Sequence, residues 1–379
     1  MKLEPFALER FQSIWEHSVP WNLAESGVHP LSVSELLALA GEDTSLGDVR
    51  LGYPQTNGTL DLRAAIATMY PRATPDHVEV TNGGSEANCV VMMRLIEPGD
   101  RIVFMSPNYL QMSGLAKALG AEVVPWRLRM TGEGDRARWS FDLDELVSLV
   151  TPGTRAILLC NPNNPTGARI DGASLDTICR IAERVGAWVV SDEIYRGAER
   201  TYGETQSVWG RYDRAIVTSG LSKAYGLPGL RIGWVVAPAE LTSELWGYHD
   251  YTSIAPGAIN DRLARIALSS ACRGRLLART QTAIRQNYAV IRDWIASHDG
   301  LDHAAPDAGA IAFVRYRHPV PSETLVERLR DEQGVLIVAG SHFDMDGFIR
   351  IGFGSERAHL EGALAIIGTF LDALLINAR

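Results

Sequence analysis

The sequence predicts an α/β protein: a large three-layer α/β/α domain around a mostly parallel seven-stranded sheet, with a smaller α+β domain built from both chain ends. Two observations predict it. Between residues 60 and 240, short apolar runs alternate with helix-period segments, the pattern of a parallel sheet covered on both faces. From about Asp261 this alternation gives way to an Arg-rich helical stretch, three strand signals and a final amphipathic helix. The expected division is a segment 1–45 packing with the small domain, a large domain 46–275 and a small domain 276–379.

The seven strands are expected at His77–Thr81, Arg101–Met105, Glu122–Trp126, Ala156–Cys160, Ala187–Ser191, Ala215–Thr218 and Gly233–Ala237. Helix-period segments at Ser85–Ile96, Tyr109–Leu119, Leu143–Val150 and Leu175–Val185 lie between them. Residues 261–298 read as helical with no clear breaker after Gly274. Strands follow at Ala310–Tyr316, Val335–Val338 and Phe348–Phe353, and a helix from Arg357 to Ile376.

Composition narrows the function. The 379 residues carry 36 basic and 45 acidic side chains, a net charge of −9, with no basic tract, so nucleic acid is not the expected partner. No apolar run is long enough to span a membrane. The start, Met1-Lys2-Leu3-Glu4-Pro5, places an acid and a proline where a signal peptide needs apolar residues. Cys89, Cys160, Cys179 and Cys272 lie far apart, indicating neither a disulfide framework nor a metal site; a reducing cytoplasm is the expectation. Among 36 basic residues only Lys2, Lys117 and Lys223 are lysines. Lys2 sits at a terminus and Lys117 reads as exposed on a helix, so chemistry needing an amine nucleophile points to Lys223.

Ligands of parallel sheets collect at the carboxyl ends of the strands, and five strand ends here carry unusual polar groups. After His77–Thr81 comes Asn82-Gly83-Gly84-Ser85-Glu86, glycines feeding a helix start, which is either a capped turn or an anion site. Tyr109 opens a helix after Arg101–Met105 and reads as core or as a stacking face. Asn161-Pro162-Asn163-Asn164-Pro165-Thr166-Gly167 is an irregular loop whose asparagines are turn formers or ligand-edge amides. Asp192, followed by Glu193-Ile194-Tyr195, closes a buried strand; it is a helix cap or the partner of a buried cation. After Ala215–Thr218, Lys223 stands among Ser219, Gly220 and Ser222, with Arg231 eight residues on.

One cofactor meets all these demands. Glycine amides, serines and Arg231 suit a phosphate dianion, and Tyr109 a stacked ring. Asp192 suits a protonated ring nitrogen, Asn164 and Tyr195 a phenolic oxygen, and Lys223 a Schiff base with an aldehyde. These are the features of pyridoxal 5′-phosphate.

Asn164-Pro165-Thr166-Gly167, Asp192-Glu193-Ile194-Tyr195 and Ser222-Lys223 through Gly229-Leu230-Arg231-Ile232-Gly233 resemble the signatures of fold-type I, class I/II aminotransferases, the aspartate aminotransferase superfamily. The resemblance covers essentially the whole chain. It implies amino transfer between an α-amino acid and an α-keto acid through a Lys223 Schiff base, with Lys223, Asp192 and Tyr195 catalytic. It implies cofactor contacts from Gly84, Ser85, Glu86, Tyr109, Asn164, Ser222 and Arg231, and substrate contacts from Arg350, Asn164 and Gly27. Tyr53, in Tyr53-x4-Gly58, resembles a tyrosine that reaches the cofactor phosphate of a dimer partner, and Thr252 and Ser253 occupy a place that also faces it. A homodimer with shared sites is therefore expected. Many relatives carry a phosphate-binding serine where this chain has Gly220, leaving Ser219 or Ser222 to substitute. His29, Asn22, His249, Tyr251 and Asn260 are candidate pocket residues. Glu25-Ser26-Gly27-Val28-His29 and the Lys223 segment also resemble a capreomycidine synthase-like subgroup, which implies the alternative of a lyase or cyclase acting on an amino acid, arginine-derived ones included.

Overall fold

The structure, a computed structural model, describes residues 2–41, 46–201, 203–317 and 319–377. The seven expected strands all form: β1 Val78–Thr81, β2 Arg101–Ser106, β3 Glu122–Arg127, β4 Thr154–Cys160, β5 Trp188–Asp192, β6 Ala215–Gly220 and β7 Gly233–Val236. They make one sheet in the order β1-β7-β6-β5-β4-β2-β3. Strand β7 runs antiparallel to both its neighbours, and the other pairings are parallel. Both faces are covered, and the period of two divides each strand between them. Ile102 and Phe104 of β2 join Leu158, Val190, Ile216 and Val235 on one face. Val103 and Met105 join Ile157, Val189, Val217 and Trp234 on the other. Each such side chain contributes about 1.5–3 kcal/mol of burial energy, so the sheet is a rigid base for its carboxyl edge.

Two glycines let that edge close up. Gly83 caps the helix Gly84–Leu95 at φ 90°, a conformation that favours glycine. Gly233 of β7 passes beneath this turn so closely that a Cβ there would sit 2.3 Å from the Gly83 carbonyl carbon.

Both chain ends build the smaller unit. A four-stranded sheet holds Leu301–His303, Ile311–Tyr316, Phe348–Gly352 and Val338–Ala339 in that order. The N-terminal Trp21–Asn22 pairs in parallel with Val335–Leu336, and the helix Ala7–Trp15 packs Leu8 against Phe313 and Phe343. Two expectations need correction. Val335–Val338 is not one strand: the chain turns at Ile337, so Val335–Leu336 pairs with the N-terminus and Val338–Ala339 with Phe348–Gly352. Residues 261–298 are not one helix: Ala258–Ala267 ends before a turn through Cys272, and Arg273–Ala296 begins anew, running across the expected domain boundary. A short hairpin, Arg129–Thr131 with Arg138–Ser140, had no clear signal in the sequence.

Candidate active site

A cavity of about 310 Å³ opens at the carboxyl edge of the large sheet, where the smaller unit leans over it. Lys223, Asp192, Tyr195, Asn164, Gly84, Ser85, Tyr109, Ser222, Arg231 and Arg350 all line it.

Asp192 ends β5 and is 8% exposed. Its Oδ2 accepts from Asn88 Nδ2 at 3.1 Å and its Oδ1 from the Ile194 N–H at 3.0 Å. Burial raises its carboxyl above the ordinary range, and these two donors oppose the rise. Asn88 is in turn fixed by Thr218, whose hydroxyl donates to Asn88 Oδ1 at 2.6 Å. Sequence reasoning missed Asn88; its signal was a lone amide among Ala87, Val90, Val91 and Leu95 on the buried face of the helix.

The asparagine loop divides its work. Asn161 Oδ1 accepts from the Ile170 N–H, and Asn163 Oδ1 from the Thr166 N–H and hydroxyl, so both hold the loop. Asn164 faces the cavity and accepts from Arg350 Nη1 at 3.0 Å. Arg350, in Phe348–Gly352, is 1% exposed; its Nη2 donates to the Ala24 carbonyl at 2.6 Å, and its Nε has no partner among the described residues. The buried hydroxyl of Tyr195 likewise has none. Burial raises that phenol, against the pull of the Lys223 and Arg350 charges.

Lys223 has a partner that sequence reasoning did not assign. Its Nζ lies 2.6 Å from Glu25 Oε1, which also accepts from the Ser26 and Gly27 N–H groups. The Lys223 ammonium and these N–H donors hold the Glu25 carboxyl down at about 2. Burial works to lower the Lys223 amine, yet Glu25 and Tyr195 raise it above its ordinary value.

The anion cradle is explicit in the backbone. Arg231 adopts φ 45° and lies against the glycine turn, where a Cβ on Gly83 would be 2.3 Å from its Nη2. At Gly220 a Cβ would meet the Ile232 carbonyl at 2.8 Å, so a serine side chain has no room there. Ser219 donates its hydroxyl to the Glu193 carbonyl, whereas Ser222 lines the cavity.

Other expected residues lie elsewhere. Glu86 turns away from the cavity: its carboxylate accepts from the Asn82 and Ser253 N–H groups and faces His249 at 3.3 Å. His249 is buried beneath the turn with Nδ1 2.8 Å from Glu79, and these two glutamates raise it to about 9 against the effect of burial. The Gly27 N–H is taken by Glu25, and Gly27, His29 and Asn22 line a neighbouring cleft. Asn260 donates to the Leu230 carbonyl. Tyr53 and Tyr251 are each 85% exposed and outside the cavity of this chain.

Comparison with known proteins decides the family. The model of aminotransferase class I and II matches residues 25–367. The chain belongs to this family. The aminotransferase is 33% identical over 353 residues to capreomycidine synthase of Streptomyces vinaceus, covering 91% of this chain and 88% of that one. It resembles a solved pyridoxal phosphate-dependent aminotransferase from Streptococcus suis, with 34% identity, a TM-score of 0.92 and 99% of each chain covered. It also resembles the solved pyridoxal phosphate-dependent cyclase OrfR, with 26% identity, a TM-score of 0.87 and 98% of each chain covered. The chain is thus a pyridoxal phosphate-dependent aminotransferase, and its cavity fits that cofactor. A buried carboxylate, an unpartnered buried phenol, a half-buried lysine and a glycine–arginine cradle offer the donors and acceptors that its ring nitrogen, phenolic oxygen, aldehyde and phosphate require.

Proposed function

We propose that Lys223 would hold the cofactor through its amine and that the same amine, when free, moves the α-proton of an α-amino acid. One observation carries this reading: the end of β5, the Lys223 loop and Arg350 of the small sheet, far apart in sequence, converge on one cavity. Bound pyridoxal phosphate supplies an electron sink for the charge left on the α-carbon. Asp192 would keep a proton on the ring nitrogen as its charged partner, with Asn88 and Thr218 fixing the direction of the carboxylate. Tyr195 and Asn164 hold the phenolic oxygen. Gly84, Ser85, Ser222 and Arg231 hold the phosphate, and Tyr109 gives its ring a stacking face. Arg350 grips the substrate carboxylate and so orients the Cα–H bond toward the Lys223 amine, which takes the α-proton as general base and holds it as an ammonium. The co-substrate is an α-keto acid, which reverses the path.

A second reading has its own support. The likeness to capreomycidine synthase and to a cyclase, together with a second ionisable group, the Glu25 carboxylate, beside Lys223, favours elimination or cyclisation as the alternative outcome. A screen of amino donors with the purified holoenzyme separates them. Keto-acid-dependent turnover without ammonia supports transfer; turnover without any acceptor overturns it.

The active unit in this proposal is a cytoplasmic homodimer with shared sites, each chain divided near residues 45 and 275, the second junction lying within the helix Arg273–Ala296 that joins the two units. Four free cysteines support the reducing compartment. Leu51, Tyr53 and Tyr251, each at least 82% exposed, support a partner surface, from which Tyr53 reaches the neighbouring phosphate. Subunit exchange between Lys223→Ala and Tyr53→Ala variants should restore part of the activity, because one site of the mixed dimer is then intact. No recovery after proven exchange would show that each chain completes its own site.

A further inference from the structure

The charges lining the cavity do not balance, and the imbalance lies on one element. Its cations are Lys223, Arg231 and Arg350; its anions are Asp192, Glu25, Glu9 and Glu16. In the proposed reading Arg231 answers a phosphate, Arg350 a substrate carboxylate and Asp192 a ring nitrogen, and Lys223 already faces Glu25. Glu9 and Glu16 remain, with no lining cation assigned to them.

Both belong to one face of the N-terminal helix Ala7–Trp15 and its cap. Residues 9, 12, 13 and 16 follow the i, i+3, i+4, i+7 spacing of a single helical stripe, and all four line the cavity. The adjoining face, with Leu8, Phe11 and Trp15, packs into the aromatic core of the smaller unit, so the stripe is held in place. Its alignment with the carboxylate grip is also fixed. Gln12 Nε2 donates at 3.0 Å to the Ala24 carbonyl, the same oxygen that accepts from Arg350 Nη2 at 2.6 Å. Asn22 Nδ2 holds the far end through the Glu16 carbonyl at 3.3 Å. Glu9 accepts from the Tyr109 hydroxyl at 2.7 Å, and the Glu16 carboxylate faces the outward His17 at 3.5 Å. Arg350 is more than nine-tenths buried, lines the same cavity and keeps a partnerless Nε among the described residues, so a ligand carboxylate is expected beside Arg350 and a ligand cation beside the stripe.

We infer that the stripe carrying Glu9 and Glu16 selects the substrate side chain, and that this enzyme acts on α-amino acids whose side chain ends in an ammonium or guanidinium group. The inference rests on the aminotransferase reading of the cavity and adds the substrate class. A neutral or acidic side chain would leave two carboxylates facing it across a partly desolvated space, a cost a cation removes.

The test compares L-arginine and L-lysine with L-citrulline and L-norleucine, neutral analogues of similar length, using the holoenzyme. The expected result is a kcat/KM at least tenfold higher for one or both cationic donors. Glu9→Gln and Glu16→Gln should each reduce that ratio about tenfold, chiefly through KM, and raising salt should reduce it further. Calorimetric binding of α-methyl-arginine, α-methyl-lysine and α-methyl-norleucine, which have no α-proton to lose, gives a readout independent of turnover and separates guanidinium from ammonium. Equal binding and turnover of cationic and neutral ligands, or variants that leave the ratio unchanged, would overturn the inference while leaving the aminotransferase reading intact. A holoenzyme that neither binds nor turns over any of these amino acids would overturn the inference, and only failure of every donor in the wider screen would overturn the aminotransferase reading as well.

Discussion

The floor and the roof of the cavity are made in different ways. The floor is the carboxyl edge of the large sheet, where Asp192, Asn164, Ser85 and Lys223 each follow a strand buried on both faces. The roof is assembled from the two chain ends: the helix Ala7–Trp15, the turn at Glu25 and Arg350 from the small sheet. A floor residue is placed by the element it terminates, and a roof residue by contacts between distant segments. In the proposed reading the floor therefore presents the groups the cofactor needs, and the roof the groups that meet the amino acid, Arg350 its carboxylate and the helix stripe its side chain. Substitutions should divide along the same line.

The largest effect is expected at Lys223, in the centre of the floor. In the proposed reading Lys223→Ala removes both the covalent anchor and the proton carrier, so turnover should fall about 10³-fold or more for every donor. Borohydride should no longer fix cofactor to the chain. Borohydride-stable attachment at Lys117 or Lys2 would break the assignment of the floor altogether.

Arg350 tests the roof. Arg350→Ala removes the donor to Asn164 and, in the proposed reading, the carboxylate grip, while leaving the cofactor contacts of the floor in place. KM should rise about 10²-fold for all amino acids, with the cofactor's visible spectrum retained, as expected when a buried charge pair is truncated. A loss confined to one class of side chain would make Arg350 a side-chain selector and erase the distinction between carboxylate grip and helix stripe.

The same division explains what was legible in the sequence. Lys223 stood out because the chain has only three lysines and this one follows a strand among glycines and serines. Asp192 stood out because an acid at the end of an apolar strand demands a partner. Gly220 was noticed as a departure, but its reason, an Ile232 carbonyl 2.8 Å from where a Cβ would be, exists only once β7 lies beside β6. Asn88 was hidden because one amide on an apolar helix face looks like any imperfect pattern. Residues 9, 12, 13 and 16 have helical spacing, but periodicity does not say which face meets a cavity and which a core. Nor does it say that Val335–Val338 is shared between two sheets, since both halves are equally apolar. Glu25 belonged to a motif that was noted, yet its partner lies 198 residues away.

Glu25 with Lys223 is the contact that joins roof to floor, and its substitution should have the smallest effect of the three. The Glu25 carboxyl is held down from 4.5 to about 2, and the Lys223 amine is raised above 10.5. A lowered acid contributes its stabilisation above its unfolded value and loses it as pH falls through the folded one. A raised base contributes below its unfolded value and loses it as pH rises through the folded one. The pair is therefore fully formed between about pH 4.5 and 10.5 and holds Lys223 as the ammonium across that window. Uptake of cofactor by the apoprotein needs the neutral amine, because only that form attacks an aldehyde. Glu25→Gln keeps a side chain of the same size but removes the charge, so Lys223 titrates lower and a larger fraction is neutral at pH 8. Cofactor uptake, followed by its visible band, should be faster in the variant, by about tenfold for each unit that Lys223 moves. Its rise with pH should be displaced downward by the same interval. Identical uptake profiles for the two proteins would show that Glu25 does not govern the lysine, and the roof would then act on the substrate alone.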